Sequence, residues 1–356
     1  MAGVTEDEAA LYDRQIRLWG LEAQNRMRSA HVVLYGFSGL ATEVAKNITL
    51  SGVGQLTIVD QGAVRAEDLG AGFFFREEDI GSPRIGEAPL QRVQLLNPLV
   101  TVKGATALDV PALRPDVLVA CTGTRAELVA LNDACRTVGA MFYAASTQGW
   151  GGFLFSDLGE AYEYVAERAV PGSKERRSVR YTQGFATLRD VLRVTWKTPA
   201  HGEIAGRPVR QFSARLWATW ALWEWDARRA HGAEAADGPP ALAAALERIA
   251  RELLADKGVA SELVFERQRV DPARFFAEFA RVTYAHVVDH SLAALAPTSA
   301  VLGGLLAQDL LNALGHREEP MVNWMLLDTA LGVAPIHAIG TAPAQEDAAG
   351  ASRAAA

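Results

Sequence analysis

Two arginines three residues apart, Arg14 and Arg17, stand in the run Tyr12-Asp13-Arg14-Gln15-Ile16-Arg17-Leu18-Trp19-Gly20. Side chains at that spacing share a helical face. A guanidinium stays charged and offers a planar fork of donors that fits phosphate oxygens. The same residues taken alone also suit a surface ion pair with Asp13 or Glu22. A second group follows an apolar stretch: Gly36-Phe37-Ser38-Gly39-Leu40-Ala41. This is the pattern of a strand-to-helix turn that brings phosphate up to backbone N–H groups at a helix start. Such turns carry glycine at three positions. Here the middle one is Ser38 and the last is Ala41, so the backbone is held farther from phosphate. Asp60, at the end of the next apolar stretch, suits ribose hydroxyls. Dinucleotide enzymes, methyltransferases and adenylating enzymes share this kind of loop, which does not choose among them.

Other reactive side chains are sparse. The two cysteines, Cys121 and Cys135, fall in an apolar strand and a helix with no neighbouring histidine, and read as reduced packing residues rather than nucleophiles or a disulfide. His286 and His290 are four apart but lack further ligands, and a four-cysteine zinc site cannot be built. Net charge is −7, from 35 basic and 42 acidic side chains, which argues against a nucleic-acid partner. No apolar run reaches membrane-spanning length, and the acidic N-terminus carries no secretory signal. A cytosolic or nuclear protein is expected.

The elements that must position these residues follow from pattern. Thr5 and Glu8 form a capping box that starts a helix through Tyr12–Trp19, ended by Gly20. Strands are expected at His31–Tyr35, Leu56–Val59, Val100–Lys103, Val117–Cys121 and Met141–Ala145. Helices are expected at Leu40–Leu50, Ala88–Leu96 and Arg125–Val138. That alternation predicts an α/β fold, a Rossmann-like, doubly wound, mainly parallel sheet. Residues 1–158 form its first part. An insertion, 159–296, opens on charge-rich, weakly alternating segments. It then carries a helix at Ser213–Arg229, whose Trp217, Trp220 and Trp223 are spaced to bury one broad face, and another at Ala241–Asp256. Residues 297–340 return to the sheet domain with a helix at Thr298–Leu314 capped by Thr298, then strands at Trp324–Asp328 and Ala334–Ala338. An Ala-rich tail, 341–356, is expected to be disordered.

The Tyr12–Gln24 run, the eroded Gly36 loop and the segment Pro297–Asp309 together resemble the small, Aos-type, non-thioester subunits of SUMO-activating heterodimers in the ubiquitin-activating (ThiF-like) family. The resemblance implies a pseudo-adenylation domain with an insertion like a catalytic-cysteine domain but without the cysteine. Competent halves of this family carry an arginine after the second strand, a lysine soon after, and a magnesium-binding aspartate after the fourth. Here those positions fall on Ala71, on Arg84, and in Cys121-Thr122-Gly123-Thr124-Arg125, which holds no acid. Gly36, Gly39, Asp60, Ala71 and Arg84 are therefore expected to form a degenerate site, with no cofactor and no metal of this chain's own. The resemblance further implies that ATP and Mg sit on a large partner subunit bearing the catalytic cysteine. Arg14 reaches that ATP in trans, while Arg17, Leu18 and Trp19 anchor the helix. SUMO is the modifier, a conjugating enzyme acts downstream, and the complex resides in the nucleus, with the cytoplasm as the alternative.

Three other readings stand beside this one. The chain is a small subunit for another ubiquitin-like modifier, a self-sufficient adenylyltransferase for sulfur-carrier proteins, or a nicotinamide-dependent oxidoreductase using the Gly36 loop and Asp60. The sulfur-carrier reading requires the missing aspartate, and the oxidoreductase reading requires a proton donor that the C-terminal half does not offer.

Overall fold

A computed structural model of the chain describes residues 12–347 apart from 170–171, 173–174, 195–202, 205–206, 209–212, 236, 267 and 288–293. The Thr5–Glu8 capping box and His290 lie outside those residues, and the side chain of His286 is likewise undescribed. The parallel part of the main sheet comprises β1 (His31–Tyr35), β2 (Gln55–Val59), β3 (Thr101–Ala105), β4 (Val117–Ala120) and β5 (Met141–Gln148). β6 (Gly151–Asp157), β11 (Trp324–Asp328) and β12 (Ile336–His337) extend it antiparallel. The eight strands run in the order β12-β11-β6-β5-β4-β1-β2-β3. The α/β, doubly wound, mainly parallel expectation therefore holds.

Alternation along β1 sorts the core. Val32 and Leu34 face one side of the sheet, with helices α3 (Gly39–Leu50) and α8 (Ala296–Gly315) packed there. Val33 faces the other, beside α4 (Arg125–Val138), α5 (Ala214–Ala230) and α6 (Pro239–Asp256). Burying both faces is what a parallel sheet with β-branched, apolar strands requires.

Segment 159–296 is built into both layers. β7 (Tyr162–Ala169) and β8 (Arg176–Gln183) form an antiparallel pair whose Tyr162, Tyr164 and Ala166 join the α3 side of the core. A two-residue ladder, β9 (Glu203–Ile204) with β10 (Arg207–Pro208), follows. Trp217, Trp220 and Trp225 of α5 are buried on the other face, where Trp220 meets Trp217 and Trp324, while the half-buried Trp223 meets Phe153 and Trp324. α7 (Pro272–Val287) packs against α6.

Two local expectations are corrected, and a third holds with an added helix. The tail is ordered at its start: β13 (Gln345–Glu346) pairs with β8 at Tyr181–Thr182, and Glu346 meets Arg177. Thr298 does not cap α8, because the helix begins two residues earlier through Ala296-Pro297, and proline suits a first turn that needs no N–H. Gly20 ends the first helix, α1 (Asp13–Trp19), but a second, α2 (Leu21–Ser29), starts at once. At φ +87° Gly20 provides the bend between them.

Candidate functional site

The strand ends of β1, β2 and β4 surround a cavity of about 570 Å³, lined by the Gly36 loop, Asp60, Arg84, Thr122–Thr124 and Trp223. This is the crevice at carboxyl ends of strands where α/β sheets bind ligands. Both loop glycines are taken up by other parts of the chain. Gly36, at φ +85°, faces Thr122, whose Cγ2 lies 2.5 Å from where a Cβ would stand. Gly39 faces Ala71, whose Cβ lies 2.7 Å from such a position. Thr42 ties this loop down: its hydroxyl donates to Gly39 O (2.7 Å) and accepts from Phe73 N–H (3.1 Å). Phe37 is buried beside Phe74 and Phe75. The loop that should supply a cation therefore packs over the start of α3 and presents Ala71 instead.

Asp60 and Arg84 are engaged as well. Asp60 is buried; its Oδ2 accepts from Phe37 N–H and its Oδ1 from Gly62 N–H, each at 2.6 Å. Arg84 forks onto Asp68, with Nε–Oδ2 at 3.0 Å and Nη2–Oδ1 at 2.9 Å, and its Nη1 stands 3.8 Å from Asp60 Oδ2. A bidentate guanidinium–carboxylate pair is among the stronger polar contacts in proteins. Moving Arg84 to a phosphate would leave Asp68 and Asp60 without it.

The segment after β4 has no acid up to Arg125, yet Glu127 lines the cavity. It is committed to the start of α4: its Oε2 accepts from Thr124 N–H (2.7 Å), and Thr124 Oγ1 accepts from Glu127 N–H (3.3 Å). Around the cavity stand five carboxylates (Asp60, Glu67, Asp68, Glu127, Asp226) and three guanidinium groups (Arg65, Arg84, Arg229). The phenol of Tyr35 beside it is raised first by burial and then by Glu127 and Asp60. Triphosphate and magnesium do not fit these residues. One cation position is alanine, the other is neutralised, and the carboxylate nearest the metal position caps a helix. Among the described residues no cluster of three or more His, Cys, Asp or Glu side chains could hold a metal.

Sequence reasoning missed several lining residues, among them Arg65, Glu67, Asp68, Glu127, Trp223, Asp226 and Arg229. Glu127 was signalled by the Thr-x-x-Glu capping pattern at 124–127. Trp223, Asp226 and Arg229 arrive on α5 from nearly a hundred residues away, and no local signal announces them. Burial raises both thiols, Cys121 to about 12 and Cys135 to about 12 with help from Asp157. Thiols raised in this way stay protonated at neutral pH, and the thiolate is the nucleophilic form.

The arginine helix presents the opposite picture. None of the residues of α1 is buried, and Leu18 is 80% exposed. Leu18 therefore does not anchor the helix. Arg17 is held at the surface by Asp13 (3.0 Å), one turn away. Trp19 is half-buried and donates to Gln24. Arg14 is exposed, and among the described residues no carboxylate pairs with it. Its neighbour on the same face is Leu18, four residues on. An exposed guanidinium beside exposed apolar surface is suited to a partner's anion.

Sheet order, the crevice at the strand ends and a glycine turn packed against the chain's own loops define a Rossmann-like, doubly wound α/β domain. The chain belongs to the ThiF family, which matches it over residues 12–342. It is similar to SUMO-activating enzyme subunit 1 of Homo sapiens, with 31% identity covering 95% of this chain and 97% of the relative. It is also similar to the protein of the same name from Danio rerio, with 30% identity, 92% of this chain and 94% of the relative. Among solved structures it resembles E. coli MccB with succinimide: TM-score 0.50 and 13% identity, over 94% of this chain and 72% of that one. That likeness concerns the fold alone.

Proposed function

We propose that this chain is the non-thioester subunit of a heterodimeric SUMO-activating enzyme. The large partner binds ATP and Mg, adenylates the C-terminal glycine of SUMO and takes it as a thioester. This chain supplies Arg14 in trans to that ATP and half of the pseudo-symmetric dimer. The conjugating enzyme is met through the complex, which works in the nucleus. One contrast carries the reading. Arg84 is spent on Asp68 inside the chain's own crevice, while Arg14 stands exposed on α1 with no carboxylate partner among the described residues. Similarity to SUMO-activating enzyme subunit 1 along nearly the whole chain supports the choice of modifier.

In the proposed reaction the modifier's carboxylate attacks the α-phosphorus of ATP and pyrophosphate departs. Charge accumulates on the phosphate oxygens as the bond breaks. A guanidinium placed there neutralises it without losing its own proton, and arginines supplied in trans accelerate phosphoryl chemistry by roughly three to five orders of magnitude.

Arg14→Ala in the assembled heterodimer should slow SUMO thioester formation by about a hundredfold or more, with coelution of the two subunits unchanged. An undiminished rate would remove Arg14 from the mechanism. Copurification with the large subunit of another modifier's enzyme would reassign the modifier.

A further inference from the structure

Although α1 buries none of its own residues, Tyr12, immediately before it, is 3% exposed. Its ring lies across Gly52, where a Cβ would stand 2.4 Å from the Tyr12 hydroxyl oxygen. Gly52 has φ +80°, so this contact needs glycine twice over. The Tyr12 hydroxyl accepts from Asn97 Nδ2 (2.7 Å), and the same nitrogen donates to Thr49 O (2.9 Å). Asn97 is itself buried, and its Oδ1 is occupied by Leu99 N–H (3.1 Å).

A second clamp holds the other end. Trp19 Nε1 donates to Gln24 Oε1 (3.4 Å), and Gln24 Nε2 donates to Ser51 O (3.3 Å). The Thr49 and Ser51 carbonyls lie at the C-terminal end of α3, where a helix leaves acceptors without internal partners. Both ends of the arginine helix are thus tied to the far end of the helix that begins at the spent glycine loop. The closed crevice keeps a task as a rigid mount.

We propose that Tyr12 and Asn97 are positioning residues for Arg14. Resting on the trans-arginine reading above, the inference is that the Tyr12–Asn97–Thr49 chain fixes where the N-terminal turn of α1 stands, and so where the Arg14 guanidinium meets the partner's ATP. Tyr12 precedes Arg14 by two residues. Loosening it lets the guanidinium drift, and a misplacement of about 1 Å can cost on the order of a hundredfold in rate. Neither residue touches substrate.

The test is a double-mutant cycle in the heterodimer with the SUMO-activating large subunit, read by ATP–pyrophosphate exchange in the presence of SUMO. Tyr12→Phe keeps the ring over Gly52 and removes only the hydroxyl, and Asn97→Ala removes the donor. Each should lower kcat about tenfold, leave KM for SUMO and the affinity between subunits unchanged, and have no further effect in the Arg14→Ala background. Equal losses in the parent and in the Arg14→Ala variant would make the contact merely structural and overturn the inference, while leaving the trans arginine in place. Full activity of Tyr12→Phe beside an impaired Arg14→Ala would overturn it in the same way. A silent Arg14→Ala would overturn both.

Discussion

At the scale of single residues, the contest is over what each charged or small side chain is already doing. Arg84 occupies the position where the family resemblance implies a lysine, but Asp68 and Asp60 hold it. Arg84→Lys with Ala71→Arg, which restores both cations, is expected to leave the isolated chain without measurable ATP turnover, because the carboxylate nearest the metal position stays committed to capping α4. Turnover by that variant would show the crevice to be repairable. Gly39 has become a packing residue. Gly39→Ala drives a methyl against Ala71, so it should cost about 1–3 kcal/mol in thermal or denaturant unfolding, and a neutral result would contradict the closed loop. Sequence made much of this site legible because its signals are local. The two loop glycines and Asp60 stand at strand ends, the family resemblance points to Ala71 and Arg84, and all five line one cavity. What it could not give was the engagement of Arg84 by Asp68, sixteen residues apart, which depends on how a loop closes. The anchor of α1 was also misread. Leu18 looked apolar enough to bury and is exposed, whereas the buried side chain is Tyr12.

At the scale of elements, strongly periodic segments came out near their observed bounds. Arg125–Val138 and Trp324–Asp328 coincide with expectation. β6 was not foreseen. Gly151-Gly152 opens it, and glycine ordinarily weakens a strand. Here the missing side chains let Arg215, Leu327 O and Ser146 O come close. The tail strand β13 is two residues long and exists through its pairing with β8, a contact that no local pattern encodes. The tryptophan helix was read as core from its spacing, and it is core, but on the sheet rather than in a unit of its own. Trp217→Ala should therefore cost about 3–5 kcal/mol and lower a single cooperative transition of the whole chain. Two separate transitions in calorimetry, only one of them shifted, would show segment 159–296 to be independent.

At the scale of the whole molecule, both layers of the core meet at the sheet, and buried polar groups there link stability to pH. Asp309 on α8 is buried, accepting from Tyr143 Oη and Met321 N–H, each at 2.7 Å. Burial raises its carboxyl above the ordinary 3.8, the larger cause, while the two hydrogen bonds work in the opposite direction. A carboxyl raised in the folded state holds its proton more tightly there than in the unfolded chain. Its contribution is complete below about pH 3.8 and is lost as pH rises through the folded value. Asp309→Asn should remove this loss, so that its melting temperature relative to the parent improves as pH rises across that window. A constant difference would contradict the assignment. The central claim, that this chain's own crevice is spent and its arginine serves another, is tested most directly by ATP–pyrophosphate exchange with SUMO, run on the chain alone and on the heterodimer. No exchange by the chain alone and full exchange by the heterodimer are expected; exchange by the lone chain would contradict the claim.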